Sequence, residues 1–438
     1  MKKSAFTLGL LFATAAASQD PLALTLQDAL ERARAASPRL ARLDALRRSA
    51  AADERHARAA QRPDLDVSGS YTRLSDVPEL SIPQPDGTQR VIFPNIPDNY
   101  AARLSFAVPL YAGGRLSAAA GAAGQRHEAA RLDVEAGVRD LELEVTHAYW
   151  NLVVADESRN VLAAAIDSFD AHLEDARNRR RFGVAAASDV LAIEVERDRA
   201  ELRRLEAERA RGVAEADLER LLDLPASTAV VPAEDPADAG DALGELDALV
   251  TRALERRPEL AALQARVAAA EAAVAVESAA RKPQVRAAAG IDMAQPNRRI
   301  LPPEDELEDS WDVSVSVTYN LFDGGKRAAA VARAGAQAEA ARQSLVELER
   351  AVRLEVTARR LEVETARAGI AVAEKAVLSA DENQRVTGER YREGLVPSSE
   401  RLDAATARLR AGLDLTRARV ALRQALAGLE RAVGAPWP

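Results

Sequence analysis

The sequence predicts a mainly α-helical protomer with a small β part, built by duplicating one helix–strand–strand–helix plan. Three observations carry this reading: a composition suited to long packed helices, a tandem repeat at near-constant offset, and four short segments with strict apolar–polar alternation. Aromatic residues make up 4% of the 438 residues and charged residues 29%, in a chain rich in alanine. Ala, Glu, Leu and Arg in such proportions characterise helices lying closely side by side. The length would otherwise allow two or three globular domains.

Residues 1–18 read as a signal peptide. Lys2 and Lys3 form a basic start, Ala5 to Ala17 is apolar, and Ala15 to Ser18 offers small residues for cleavage. The apolar stretch is short for a bilayer span. Losing Lys2 and Lys3 with it would move the formal net charge from −9 to −11. The chain has no cysteine, which excludes disulfides, thiol chemistry and an N-terminal lipid anchor on Cys. Beyond the signal no apolar run is long enough for a transmembrane helix, so any membrane crossing must use β-strands.

The repeat follows. Ala29-Leu30-Glu31-Arg32 leading to Pro38-Arg39-Leu40-Ala41 returns as Ala253-Leu254-Glu255 leading to Pro258-Glu259-Leu260-Ala261, and Pro38 and Pro258 are 220 positions apart. Arg62-Pro63 and Lys282-Pro283 keep the offset of 220. Pro109-Leu110-Tyr111-Ala112-Gly113-Gly114-Arg115 then matches Asn320-Leu321-Phe322-Asp323-Gly324-Gly325-Lys326 at an offset of 211. Arg181-Phe182-Gly183 and Arg392-Glu393-Gly394 are again 211 apart, so the first copy holds nine extra residues between Pro63 and Gly113. The expected division is a first repeat over 19–224, a connector over 225–246, a second repeat over 247–434 and a tail of 435–438.

Within each repeat the elements can be taken in order. Strands are expected at about 64–74, 100–111, 284–293 and 311–322 from period-two alternation. Trp311, Val313, Val315 and Val317 alternate with Asp312, Ser314, Ser316 and Thr318, and Leu65, Val67 and Tyr71 with Asp66, Ser68 and Thr72. About ten residues is what a tilted strand needs to cross hydrocarbon, and apolar-out, polar-in is the pattern of a barrel wall. A soluble sheet with one wet face alternates in the same way. The segments joining the strands, Leu74 to Asn99 and Ala294 to Ser310, are Pro-rich and polar and read as loops.

Gly113-Gly114 and Gly324-Gly325 read as tight strand-to-helix turns. Long helices are expected at about 114–181 and 325–391, each some 100 Å at 1.5 Å per residue. Val134, Val138, Leu141, Val145, Ala148 and Leu152 form an apolar seam, as do Leu422, Leu426, Leu429 and Val433 near the end. Gly183 and Gly394 turn the chain back, with Ser188 and Ser399 as candidate caps. The connector carries Pro225, Pro232, Pro236, Gly240 and Gly244.

Four strands cannot close a barrel, and an open edge in lipid strands N–H and C=O groups at several kcal/mol each. More than one chain must therefore share the wall. The duplicated plan, Thr25-Leu26-Gln27-Asp28-Ala29-Leu30, the two Gly-Gly junctions and Tyr391-Arg392-Glu393-Gly394 together resemble the TolC family over roughly Leu24 to Gly434. That resemblance implies a homotrimer with a shared 12-stranded barrel in the outer membrane of a Gram-negative bacterium, continued by a helical barrel across the periplasm. It implies an exit duct for efflux or type I secretion, working with a periplasmic adaptor and an inner-membrane pump or ABC transporter. No enzyme activity, cofactor, metal or nucleic-acid partner is expected. Efflux channels of this kind and a periplasmic adaptor share coiled-coil hairpins, so an adaptor or a soluble coiled-coil scaffold stands as the alternative.

The family closes its tunnel at the periplasmic helix ends with a ring of acids, and the matching positions here are Glu400 and Asp403. Their spacing of three puts both on one helical face, where a threefold assembly would stack rings of like charge suited to cations. Acids early in a helix also suit its dipole, with no pore needed. Where the family has a basic residue tying the closed tip, this chain has Val396, although Asp189 and Tyr391 remain; Arg392 and Arg401 are then the candidate closing contacts. Tyr71, Tyr100, Tyr111, Trp311, Tyr319 and Phe322 are candidates for interfacial aromatic belts, or for packing. His56, His127, His147 and His172 form no metal-ligand spacing, and the Gly-Gly turns lack the remaining residues of a phosphate loop.

Overall fold

The structure, a computed structural model, describes residues 22–226, 228–236 and 244–434. The signal peptide expected at 1–18, the tail at 435–438 and part of the connector lie outside these residues. The first repeat runs β1 (Leu22–Leu24), α1 (Leu26–Ala36), α2 (Pro38–Ala59), β2 (Asp64–Arg73), β3 (Leu80–Pro83), β4 (Gln89–Phe93), β5 (Asp98–Tyr111), α3 (Arg115–Arg181) and α4 (Ala187–Leu222). After β6 (Val230–Pro232), the second runs α5 (Leu246–Arg256), α6 (Pro258–Ala279), β7 (Gln284–Gln295), β8 (Glu308–Thr318), α7 (Lys326–Arg392) and α8 (Ser398–Val433). Corresponding helices are equal in length, 11, 22, 67 and 36 residues in both halves.

Local chemistry explains the boundaries. Thr25 caps α1 by accepting from the Asp28 amide at 3.1 Å. Pro38 and Pro258 open α2 and α6, where a missing N–H costs nothing, and hold Ser37 and Arg257 extended. Neither Ser188 nor Ser399 caps a helix. The returning helices start earlier, after Ala186 and Pro397, so both serines fall inside the first turn.

By contact the described chain forms two units. In one, built from parts of 1–41, 137–257 and 352–438, apolar residues step by three and four along α3. Leu141, Val145, Tyr149, Trp150 and Leu152 pack with Leu218 and Leu222 of α4, while Leu162, Ile166, Phe169 and Leu173 pack with Ile193, Leu402 and Leu409. The connector adds an unexpected element: β6 pairs in parallel with β1. The Tyr149 hydroxyl ties them together, donating to the Leu24 carbonyl at 3.1 Å and accepting from the Ala233 and Glu234 amides at 3.2 Å each. Burial, then the nearby Glu234 carboxylate, raises that hydroxyl's pKa to about 12.

The other unit, from 42–136 and 258–351, carries the sheet. It has four antiparallel strands in the order β2-β5-β7-β8, so the two repeats meet at β5 and β7. Register lines up one apolar face: Val67 opposite Leu104, Leu104 opposite Ile291, and Ile291 opposite Trp311. That face is bare in the protomer, with Val67 80% and Trp311 70% exposed.

Two expectations about this region need correction. Strand β8 ends at Thr318, and 319–322 leave the sheet. There the Asn320 carboxamide accepts from the Phe322 amide at 3.1 Å and Asp323 from the Gly325 amide at 3.0 Å, so side-chain turns displace strand pairing. The segment 74–99 is not wholly loop: β3 and β4 form a hairpin around Asp86-Gly87, with the Gly87 φ at 86° and Asp86 binding the Thr88 amide. Asp-Gly between Ile82 and Val91 is the sequence signal for it.

The Gly-Gly turns take the left-handed conformation, with φ 64° and 88° at Gly113 and Gly114 and 66° and 88° at Gly324 and Gly325. Only Gly113 is also crowded: a Cβ there would sit 2.8 Å from the Lys282 Cβ and 2.9 Å from the Ala279 carbonyl. Gly113→Ala therefore adds a steric clash to the left-handed penalty of roughly 1–2 kcal/mol, while Gly324→Ala incurs only the latter. Thermal unfolding of the two variants should show the larger loss for Gly113→Ala; equal losses would discount the crowding.

Candidate functional site

The helix-to-helix turns close by the same main-chain pattern. The Val184 amide donates to the Arg179 carbonyl at 2.9 Å and the Leu395 amide to the Arg390 carbonyl at 2.8 Å, with Gly183 and Gly394 left-handed at φ 74° and 76°. These turns position the expected acids. Glu400 and Asp403 stand exposed on the early part of α8, and Asp403 lines a groove with Leu402, Thr406 and Leu191. Neither makes a hydrogen bond or ion pair among the described residues. Asp189 occupies the first turn of α4, likewise without an ion-pair partner among the described residues.

Of the expected closing contacts, the structure brings Tyr391 and Arg401 together and leaves Asp189 and Arg392 apart from them. Tyr391 is 4% exposed at the end of α7. Its ring lies between two guanidinium groups, Arg179 at 4.2 Å and Arg401 at 5.0 Å from the centroid, and meets the His172 ring edge-on at 5.7 Å. Asp175 neutralises part of this charge, 3.1 Å from Arg401 and 3.5 Å from Arg179. Arg392 is exposed, and among the described residues its guanidinium reaches only the Gly388 carbonyl, at 3.4 Å. Val396 is buried, filling the turn with apolar bulk.

Sequence reasoning missed the partners supplied by α3. His172 is 2% exposed and lies 3.4 Å from the Ser398 hydroxyl. Burial first, then the Arg401 guanidinium, with Arg179 adding and Asp175 opposing, pushes its pKa down to about 4. The available signal was its place one step from Phe169 and Leu173 on the apolar seam of α3. The Tyr391 hydroxyl is buried and has no hydrogen-bond partner among the described residues.

On the sheet, the six candidate aromatics are all exposed and gather toward its two ends. Tyr71 and Tyr100 lie 5.1 Å apart beside the 74–97 segment, and Trp311 is near the start of β8. Tyr111, Tyr319 and Phe322 flank the Gly-Gly turns. This is the distribution of interfacial girdles on a lipid-facing wall. No described helix is long and apolar enough to cross a membrane.

Comparison with known proteins bears on this geometry. The family model described as "Outer membrane efflux protein" matches residues 29–223 and 249–435. Protein CyaE of Bordetella pertussis is 31% identical over 203 residues, which is 46% of this chain and 42% of CyaE, so the match spans less than half of that relative. The fold is similar to that of a membrane protein from Pseudomonas aeruginosa, at TM-score 0.79 and 21% identity over 93% of each chain. It is also similar to that of the outer membrane protein VceC from Vibrio cholerae, at TM-score 0.78 and 20% identity over 94% of this chain and 96% of that one.

The cluster makes two predictions. Tyr391→Phe, which removes an unpartnered hydroxyl, should leave the unfolding midpoint unchanged or raise it, whereas Tyr391→Ala should cost roughly 3 kcal/mol or more. A histidine whose folded pKa is depressed binds protons more readily when unfolded, so stability falls as pH drops. For His172 the fall begins near the ordinary 6.5 and ends near 4, amounting to roughly 3 kcal/mol at most. Unfolding midpoints measured across that range should fall more for the unsubstituted protein than for His172→Gln; parallel curves would contradict a buried neutral imidazole.

Proposed function

We propose how this chain, which belongs to the outer membrane efflux protein family, serves in export: as one protomer of a passive exit duct. The observation that carries the reading is the four-stranded sheet of the outer-membrane part. One face is apolar, aromatic at both ends and bare; the other is polar; and both outer edges, on β2 and β8, lack a pairing strand within the described residues. Hydrocarbon does not tolerate such edges, so copies of the chain complete the wall between them. A homotrimer supplies twelve strands, an even number within the range of such barrels.

In this reading the polar face of the sheet lines a water-filled bore. Glu400 and Asp403, exposed and unpaired among the described residues, form stacked acidic rings at the periplasmic constriction. The Tyr391–Arg401–Arg179 stack with His172 holds the end of α7 and the start of α8 to α3 inside one protomer. Closure is therefore assigned to this stack, with Asp189 and Arg392 free to meet a neighbouring protomer. A periplasmic adaptor and an inner-membrane pump or ABC transporter supply the energy and the cargo. The duct itself does no covalent chemistry.

Single-channel conductance in planar bilayers tests the reading. The unsubstituted protein should give a small, cation-selective conductance, and the double variant Glu400→Ala with Asp403→Ala should lose most of that selectivity. Conductance with unchanged selectivity in the variant would move the constriction elsewhere, and failure to insert would favour a soluble scaffold.

A further inference from the structure

The polar face of the sheet holds a chain of charges that none of the preceding reading uses. Arg103 of β5 reaches across β7 to β8, donating to Asp292 at 2.5 Å and to Asp312 at 2.9 Å. The guanidinium passes over Gly290, where a Cβ would press against the Arg103 Nη2 and displace it. Asp312 also accepts from Arg299 at 3.1 Å, and the second arm of Arg299 donates to the Trp311 main-chain oxygen at 2.5 Å. Arg299 belongs to the β7–β8 connection, residues 296–307. This segment is therefore tied by a bidentate guanidinium to the polar side of the sheet and not to the apolar side.

The segment is also stiffened from within. The buried Asn297 carboxamide donates to the Glu308 carbonyl at 3.1 Å and its oxygen accepts from the Arg299 amide at 3.0 Å. Gln295 donates to the Asp305 carboxylate at 2.9 Å. The segment's acids Glu304 and Glu306 gather with Glu308 at the start of β8, their carboxylates within 4.8 Å of one another, and Arg299 is already committed to Asp312.

We propose that the β7–β8 segment is a fixed outer constriction, strapped by Arg299 and Asp312 over the bore side of the wall and presenting acidic side chains to solutes at the outer mouth. The inference rests on the exit-duct reading, in which the polar face lines the bore. Repeated around the axis, the strap narrows the mouth and repels anionic solutes approaching from outside.

The absence of cysteine makes the test direct, because Glu306→Cys carries the only thiol. A bulky methanethiosulfonate reagent is added from the outer side to single Glu306→Cys channels in a planar bilayer, with attachment verified by mass. The strap predicts that labelling cuts the conductance sharply, and that the same labelling on Glu306→Cys with Arg299→Ala cuts it much less. Full conductance after labelling of Glu306→Cys would overturn the constriction, and an equal block with and without Arg299 would overturn the strap. Unlabelled protein that fails to conduct would instead overturn the exit-duct reading, and the constriction with it.

Discussion

An unpaired strand edge has no partner in hydrocarbon, and the rest of this structure is organised around that constraint. The chain presents a sheet of four strands with a continuous apolar face and two open edges. In water such a face would drive aggregation, and in lipid such edges would each cost several kcal/mol per unpaired group. Both problems vanish when the apolar face meets lipid and each edge meets its counterpart on another copy. Duplication of the repeat serves the same end, because β5 and β7 join the two halves into one wall segment.

The helical part solves a different problem. Helices of 67 residues cannot bury a closed core within one chain, so they rely on narrow seams filled by small residues and a few large ones. Where α3, α7 and α8 meet at a turn, the seam gives way to a polar cluster, and Tyr391 between Arg179 and Arg401 replaces simple apolar packing. Burial first, and then the Arg401 charge, keeps His172 neutral in a cluster where two guanidinium groups face one carboxylate. This corner is fixed by side chains of one protomer, and Glu400 and Asp403 beside it stay exposed, with no hydrogen bond or ion pair among the described residues.

Much of this was legible in the sequence because it depends on local period. Alternation marked the four strands and glycine pairs marked the turns that need left-handed backbone, while Pro38 and Pro258 served only to mark the repeat although each opens a helix. What was not legible depends on partners distant in the chain. The parallel pairing of β1 with β6 joins residues about two hundred positions apart through a tyrosine on a third element, and three-residue strands leave no periodic trace. His172 was read only as lacking metal-ligand spacing; its contacts with Ser398 and Tyr391 come from the second repeat. The end of β8 was misjudged because Tyr319 and Leu321 keep the alternation after Asn320 and Asp323 have taken the backbone into turns. Arg103 was invisible as a bridge, since its partners Asp292 and Asp312 lie about two hundred positions away on two other strands.

The central claim is that separate copies close the wall through the edges of β2 and β8. Within one chain those strands are separated by β5 and β7, about 14 Å at the usual strand spacing, too far for a disulfide. The most direct measurement is oxidative cross-linking in membranes of Ser68→Cys combined in turn with Ser314→Cys and Ser316→Cys, in a chain with no other cysteine. The account predicts covalent products that stop at three copies in at least one of these registers. Monomer alone in every register, or a ladder running on past three, would contradict it.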